Sequence, residues 1–145
     1  MNLNEFYNSN NFSLEKITDT QWRQFRFFLP NSRFFKVPDT IRDSRVLKSW
    51  VLKKQPLDIY YSVARFLSPQ TVGPASEKIS DNLFLGADLA FDIDKQPFRV
   101  RNIEKARIQT LNLIGFLQEQ KIPVKYIAFS GSKGFHVLCE DKFDY

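Results

Sequence analysis

Cysteine, histidine and long apolar runs are scarce in this chain. It contains one cysteine, Cys139, and one histidine, His136, among 145 residues. A single cysteine excludes an internal disulfide, and these two residues are too few for a structural zinc site. No apolar run approaches the roughly 20 residues that a membrane-spanning helix needs, and the polar start at 1–11 does not resemble a secretory signal. We therefore expect a soluble protein of the cytoplasm or nucleoid that does not bind a membrane.

Aromatic residues and positive charge are plentiful, and they coincide. Between Gln21 and Lys54 there are nine lysines or arginines and two acids, whereas the whole chain carries a net charge of +5. Tryptophan and phenylalanine residues alternate with these cations, a mixture that suits a nucleic-acid backbone and its bases. We expect Arg23, Arg26 and Arg33 to contact nucleic acid. A solvated basic face over an aromatic core fits the composition equally well.

The hydrophobic patterns predict an α+β fold with two domains, 1–82 and 83–145. In the first we predict a loop over 1–11, a short helix beginning at Ser13, a hairpin over 21–37, a helix over 41–54 and one strand over 59–67. In the second we predict a strand over 83–94, a helix over 101–121 and strands over 124–130 and 135–141. This βαββ order is the first part of the βαββαβ unit of RNA-recognition domains, which leaves one sheet face open. The last helix and strand of that unit are missing.

The strand over 83–94 carries acids at alternate positions. Asp92 and Asp94 share one face, about 7 Å apart along the strand, and the apolar residues between them face a helix. Two carboxylates so placed can share divalent cations such as Mg²⁺ or Mn²⁺ in two-metal phosphoryl transfer. The alternatives are a strand-ending aspartate and a surface ion pair. A phosphatase with an aspartyl nucleophile fits less well, because Lys95-Gln96-Pro97 follows the acids, and nothing else supports a sugar-nucleotide transferase.

The second motif is the turn Ser130-Gly131-Ser132-Lys133-Gly134-Phe135-His136. Its glycines allow a sharp bend, and its successive amides can form an anion-binding concavity. Ser130, Lys133 and His136 add donors for phosphate oxygens. The turn is not a Walker A loop, because its glycine spacing differs and a strand follows it. An ordinary hairpin turn with a hydrogen-bonded histidine is the alternative.

Taken together, the two motifs resemble the catalytic core of the archaeo-eukaryotic primase superfamily, the family of the small catalytic subunit of replicative DNA primase. The resemblance covers about 83–140. It implies that Asp92 and Asp94 are the catalytic, metal-binding acids. It also implies that Ser130, Lys133 and His136 bind the phosphates of a nucleoside triphosphate, and that single-stranded DNA is the template.

The chain departs from the family pattern in two respects. No cysteine-rich zinc element lies between the motifs, and the family's third carboxylate should lie further along than Glu140, Asp141 and Asp144, the only acids that follow. The segment Trp22–Phe27 resembles the Arg-Glu-Phe-x-Phe element near the start of these subunits. We therefore expect an N-terminal or truncated portion of a primase, with a primase large subunit or a complementary C-terminal fragment as its protein partner.

The motifs leave three candidate functions. The first is a primase-type nucleotidyltransferase that synthesises primers on single-stranded DNA. The second is a non-catalytic nucleic-acid or nucleotide-binding module, or an inactive primase fragment, which the missing third acid favours. The third is a phosphohydrolase with Asp92 as its nucleophile.

Overall fold

The computed structural model describes residues 2–73, 83–97, 99–131 and 133–143, with only the main chain of 141–143. Its contacts divide the chain into two units, Met1–Leu85 and Gly86–Asp144. Within the described ranges there are three α-helices and two antiparallel sheets, so the predicted α+β class is confirmed. None of the described helices is both long enough and apolar enough to span a bilayer.

The first unit is built on a three-stranded antiparallel sheet in the order β2-β1-β3. Its elements are α1 (Leu3–Ser9), β1 (Phe25–Phe28), β2 (Phe34–Lys36), α2 (Ser44–Lys54), β3 (Asp58–Tyr61) and β4 (Ala64–Phe66). Phe25 and Phe27 point from one sheet face into a core that includes Leu47 and Val51 of α2. The predicted hairpin is confirmed as β1 and β2.

The hairpin and the second helix of the first unit are thus both confirmed, but the helix begins later than predicted. The predicted helix over 41–54 exists, but it begins at Ser44 because the Asp43 carboxylate accepts hydrogen bonds from the amides of Arg45 and Val46. Ile41 is fully buried in the core instead of starting the helix.

Three other predictions for this unit were wrong. Residues 1–11 contain α1, which Asn2 and Glu5 start with a capping box, and no helix begins at Ser13. The strand predicted over 59–67 is two strands, β3 and β4. They separate at Ser62, whose hydroxyl accepts from the Gln24 amide at 3.0 Å and donates to the Ala64 carbonyl at 2.6 Å.

The second unit contains β5, α3, β6 and β7 in the predicted βαββ order. β5 (Phe84–Asp94) begins at the end of the first unit and continues here, followed by α3 (Val100–Glu119), β6 (Val124–Phe129) and β7 (Gly134–Phe143). β7 lies between β5 and β6 and is antiparallel to both. The equivalence to an RNA-recognition domain stays a prediction.

The alternation predicted for β5 is confirmed around its second half. Leu89, Phe91 and Ile93 pack against a core that contains Leu117 of α3 and Val137 of β7. The acids of β5 therefore lie on the sheet face away from this core.

Candidate active site

The pairing of β5 with β7 brings the two sequence motifs together. Asp92 is the direct cross-strand partner of His136, and Asp94 is the partner of Gly134. Directly opposed residues of an antiparallel pair have side chains on the same face. Two motifs that are far apart in sequence therefore meet on one sheet face, where Asp92 and Asp94 are both exposed.

Each carboxylate has a cationic or potentially cationic neighbour. Lys133 Nζ lies 2.8 Å from Asp94 Oδ2, and both side chains are about one-third exposed, at 32% and 31%. His136 Nε2 lies 3.4 Å from Asp92 Oδ1, a pair that is ionic only when the imidazole is protonated. The hydrogen bond to Asp94, the charge of Asp94 and, more weakly, the charge of Asp92 raise the pKa of Lys133. Lys133 is therefore a fully charged ammonium at neutral pH.

Ser130 organises the turn between β6 and β7. Its amide donates to the Gly134 carbonyl at 2.9 Å. Its Oγ accepts from the amides of Gly134 at 3.0 Å and Lys133 at 3.4 Å. Two amides that could have lined the expected anion-binding concavity therefore point at a hydroxyl oxygen of the chain. Because that oxygen accepts both bonds, the Ser130 hydroxyl hydrogen can donate to an incoming anion.

The two glycines of the turn have different roles. Gly131 has φ +84°, a left-handed conformation that glycine adopts without strain. Gly134 leaves room for its neighbours, because a Cβ there would overlap the Ile93 carbonyl oxygen and the Asp94 carboxylate. The sequence indicated that the glycines allow a sharp bend, but it did not indicate that Asp94 uses the space at Gly134. This close approach depends on the register of β5 and β7, which no sequence pattern specifies.

The structure places Arg23 in the interior of the first unit. Its side chain is 2% exposed, with Nε donating to the Thr18 carbonyl at 2.7 Å and Nη1 donating to the carbonyls of Ser62 and Val63, both at 2.9 Å. A guanidinium buried in this way presents no surface to a phosphate. The expected nucleic-acid contact of Arg23 does not fit its position, because the side chain donates to three carbonyls in two segments of the main chain.

Arg26 and Arg33 are accessible. Arg33 is exposed and Arg26 is half-buried, with Nε donating to Gln24 Oε1 at 2.6 Å. Gln24 is itself buried, and its Nε2 donates to the carbonyls of Pro69 and Val72 at 3.1 and 2.6 Å. Sequence reasoning missed this positioning role of Gln24, and no local pattern indicates it, because both acceptors lie far away in the sequence.

The carboxylates fit part of a divalent-cation site. Oxygen ligands suit Mg²⁺ and Mn²⁺, and the ammonium beside Asp94 shows that this face already attracts a cation. In the described part of the chain, no group of three or more His, Cys, Asp or Glu side chains could hold a metal ion. Glu140 is exposed on β7, whereas the Asp141 side chain and Asp144 lie outside the described residues. Among the described residues, this part of the sheet face thus presents two carboxylates, those of Asp92 and Asp94.

Comparison with known proteins agrees with the motif reading. No protein-family model matches the sequence. The DNA primase small subunit PriS of Pyrobaculum aerophilum is 30% identical over 139 residues, which are 88% of this chain and 43% of that protein. PriS of Archaeoglobus fulgidus is 31% identical over 110 residues, or 71% of this chain and 31% of the relative. PriS of Pyrobaculum arsenaticum is 33% identical over 103 residues, which are 63% of this chain and 31% of that protein.

The chain belongs to the archaeo-eukaryotic primase family. The family prediction made from the two motifs is thereby confirmed. The chain spans about a third to two-fifths of the length of these primase relatives.

Proposed function

We propose that the second unit binds a divalent cation and a nucleoside triphosphate for primer synthesis on single-stranded DNA, the reaction of a template-directed nucleotidyltransferase. The observation that carries the proposal is the cross-strand pairing of Asp92 with His136. It brings the acids of β5 and the glycine turn onto one exposed sheet face. The names of the relatives, DNA primase small subunits, support the same activity class.

Asp92 and Asp94 would hold the cation, Mg²⁺ or Mn²⁺. The metal would neutralise charge on the triphosphate and activate the attacking hydroxyl. The 68% exposure of the Asp92 side chain leaves its carboxylate accessible from solvent. Lys133 contacts the Oδ2 atom of Asp94, so a cation that binds through this oxygen would displace the ammonium.

Ser130, Lys133 and His136 would hold the phosphates. The Ser130 hydroxyl donates one hydrogen bond, and the Lys133 ammonium supplies charge to a phosphate oxygen. When a cation binds Asp94, Lys133 loses its carboxylate partner and becomes available to the triphosphate. Cation and triphosphate would therefore bind with positive coupling.

The first unit would contact the template through Arg26 and Arg33. Both are accessible, and the surrounding basic residues favour a polyanion. A primase large subunit or a complementary C-terminal fragment would be the protein partner.

Primer synthesis with labelled nucleotides and Mn²⁺ tests the proposal, using the chain alone and together with the remainder of a primase small subunit. We expect Asp92→Asn and Asp94→Asn to lower incorporation at least about hundredfold, because metal-assisted charge stabilisation contributes several kcal/mol. Glu119→Gln removes the same charge from the exposed end of α3 and should have no effect. Unchanged synthesis by Asp92→Asn would show that the catalytic assignment is wrong.

A non-catalytic binding module is the second candidate. It is favoured by the presence of only two carboxylates in the described site. Metal-independent binding of nucleotide or single strands, with no incorporation when the remainder of a primase is supplied, would establish it.

A further inference from the structure

The outer face of the sheet in the first unit carries three neighbouring aromatic rings. Phe28 of β1 is paired with Phe34 of β2, and their ring centroids are 5.2 Å apart. The Phe34 ring is 5.7 Å from that of Tyr60 on β3. Phe34 is 62% exposed and Tyr60 is 48% exposed. We call Phe28, Phe34 and Tyr60 the aromatic platform.

The core of this unit does not account for the aromatic platform. Side chains alternate between the two faces of a strand, and the opposite face already holds buried Phe25 and Phe27. Large rings exposed side by side on a sheet are costly in water and mark a surface that contacts another molecule.

Two cations lie on the same face beside the rings. Arg26 is the cross-strand partner of both Lys36 and Tyr60. Buried Gln24 positions the Arg26 side chain by accepting a 2.6 Å hydrogen bond from its Nε. Lys36 is exposed, and its Nζ donates to the Val72 carbonyl at 3.3 Å.

The remaining charged residue of these strands on this face is Asp58, the partner of Phe28. It lies in one cross-strand row with Phe28 and Phe34, whereas the two cations lie in the neighbouring row with Tyr60.

We propose that the aromatic platform binds single-stranded nucleic acid, with bases stacking on Phe34 and Tyr60 and phosphates contacting Arg26 and Lys36. Exposed rings next to fixed cations are what a flexible strand of alternating bases and phosphates requires. A protein partner would use the rings but would not need cations held ready beside them. The inference rests on the proposed function, which supplies a single-stranded template, and it identifies the surface that binds this template.

Fluorescence anisotropy of a labelled oligothymidylate tests this with the whole chain. We expect Phe34→Ala and Tyr60→Ala each to weaken binding by about fivefold to hundredfold, the usual effect of losing one stacked base. Phe34→Trp should retain binding, and Phe34→Leu should not, because leucine keeps an apolar contact but has no ring. Phe116→Ala, which removes an equally exposed ring from α3, is the matched control.

The salt dependence separates the two kinds of contact. Lys36→Gln should lower the slope of log affinity against log salt by about one unit, whereas Phe34→Ala should leave the slope unchanged. The proposal is overturned if the wild-type chain does not bind the oligonucleotide, or if Phe34→Ala and Tyr60→Ala bind it within about twofold of wild type. If Phe34→Leu retains binding, residue 34 makes only an apolar contact and no base stacks on it, which would contradict the stacking part of the proposal.

Mn²⁺-dependent binding of a nucleoside triphosphate, measured on Asp92→Asn and on the platform variants, distinguishes a failure of this inference from a failure of the proposed function. If Asp92→Asn abolishes triphosphate binding while platform variants bind oligonucleotide normally, only the platform assignment fails. If the platform variants lose the oligonucleotide and Asp92→Asn has no effect on triphosphate, only the proposed metal and nucleotide site fails.

Discussion

If Asp94 binds a divalent cation as proposed, the cation and Lys133 compete for its carboxylate, and Lys133→Met should tighten the binding of Mn²⁺ alone. The Lys133 ammonium lies 2.8 Å from the Asp94 carboxylate, and both side chains are about one-third exposed. Coulomb attraction at that distance, screened as in bulk water, corresponds to about tenfold in affinity. Ordering two partly exposed side chains offsets some of this gain. We expect Mn²⁺ affinity to rise about threefold to tenfold in the variant.

Isothermal titration with MnCl₂ near neutral pH measures the effect, because the raised pKa of Lys133 keeps the ammonium charged there. Lys105→Met removes the same charge from an exposed position on α3 and controls for net charge. With a nucleoside triphosphate present, the sign should reverse, because Lys133→Met then lacks a phosphate ligand. Mn²⁺ affinity that is unchanged or weaker in Lys133→Met, with a native circular dichroism spectrum, would refute the competition.

Three further predictions concern packing and capping. Gly134→Ala should weaken Mn²⁺ binding in the same titration, because the added methyl group overlaps the Asp94 carboxylate. A variant that binds Mn²⁺ as tightly as the wild type would contradict this. Leu117→Ala should lower the free energy of unfolding in urea by about 2–5 kcal/mol, since Leu117 is 1% exposed in the core of the second unit. Hydrogen bonds from the Val46 amide and then from the Arg45 side chain lower the pKa of Asp43. Its stabilising contribution is therefore present above about pH 4 and is lost as the pH falls through the lower, folded-state pKa. Asp43→Asn keeps the cap and should remove this part of the acid dependence of thermal unfolding.

Strong local patterns made most of the fold predictable. β5 and α3 are long, periodic segments, and both appear close to their predicted bounds. The break between β3 and β4 could not be predicted, because a hydrogen bond from the distant Gln24 amide to the Ser62 hydroxyl helps to create it. The helix α1 could have been predicted, since the spacing of Asn2 and Glu5 is a capping-box pattern.

The candidate site was predictable in its residues but not in its contacts. Alternation placed Asp92 and Asp94 on one face, and the turn identified Ser130, Lys133 and His136. The ion pair of Lys133 with Asp94 depends on the register of β5 and β7, which sequence pattern does not specify. Whether these residues bind metal and nucleotide stays a prediction.

Burial explains why Arg23 does not fit its predicted nucleic-acid contact whereas Arg26 and Arg33 are accessible. Arg23, Arg26 and Arg33 have the same charge and similar neighbours in sequence, so composition treats them alike. Only the fold distinguishes the buried Arg23, bonded to three carbonyls, from the two accessible arginines. Basic residues in an aromatic segment therefore cannot be assigned to a ligand before their burial is known.

The most direct test of the central claim is the affinity of the chain for a non-hydrolysable nucleoside triphosphate, titrated with and without Mn²⁺. If Asp92 and His136 form one metal and triphosphate site, binding should require Mn²⁺. It should also weaken at least about tenfold in both Asp92→Asn and His136→Ala, because each loses a charged or charge-assisted contact. Equal affinity in the absence of Mn²⁺, or full affinity in Asp92→Asn, would contradict the account.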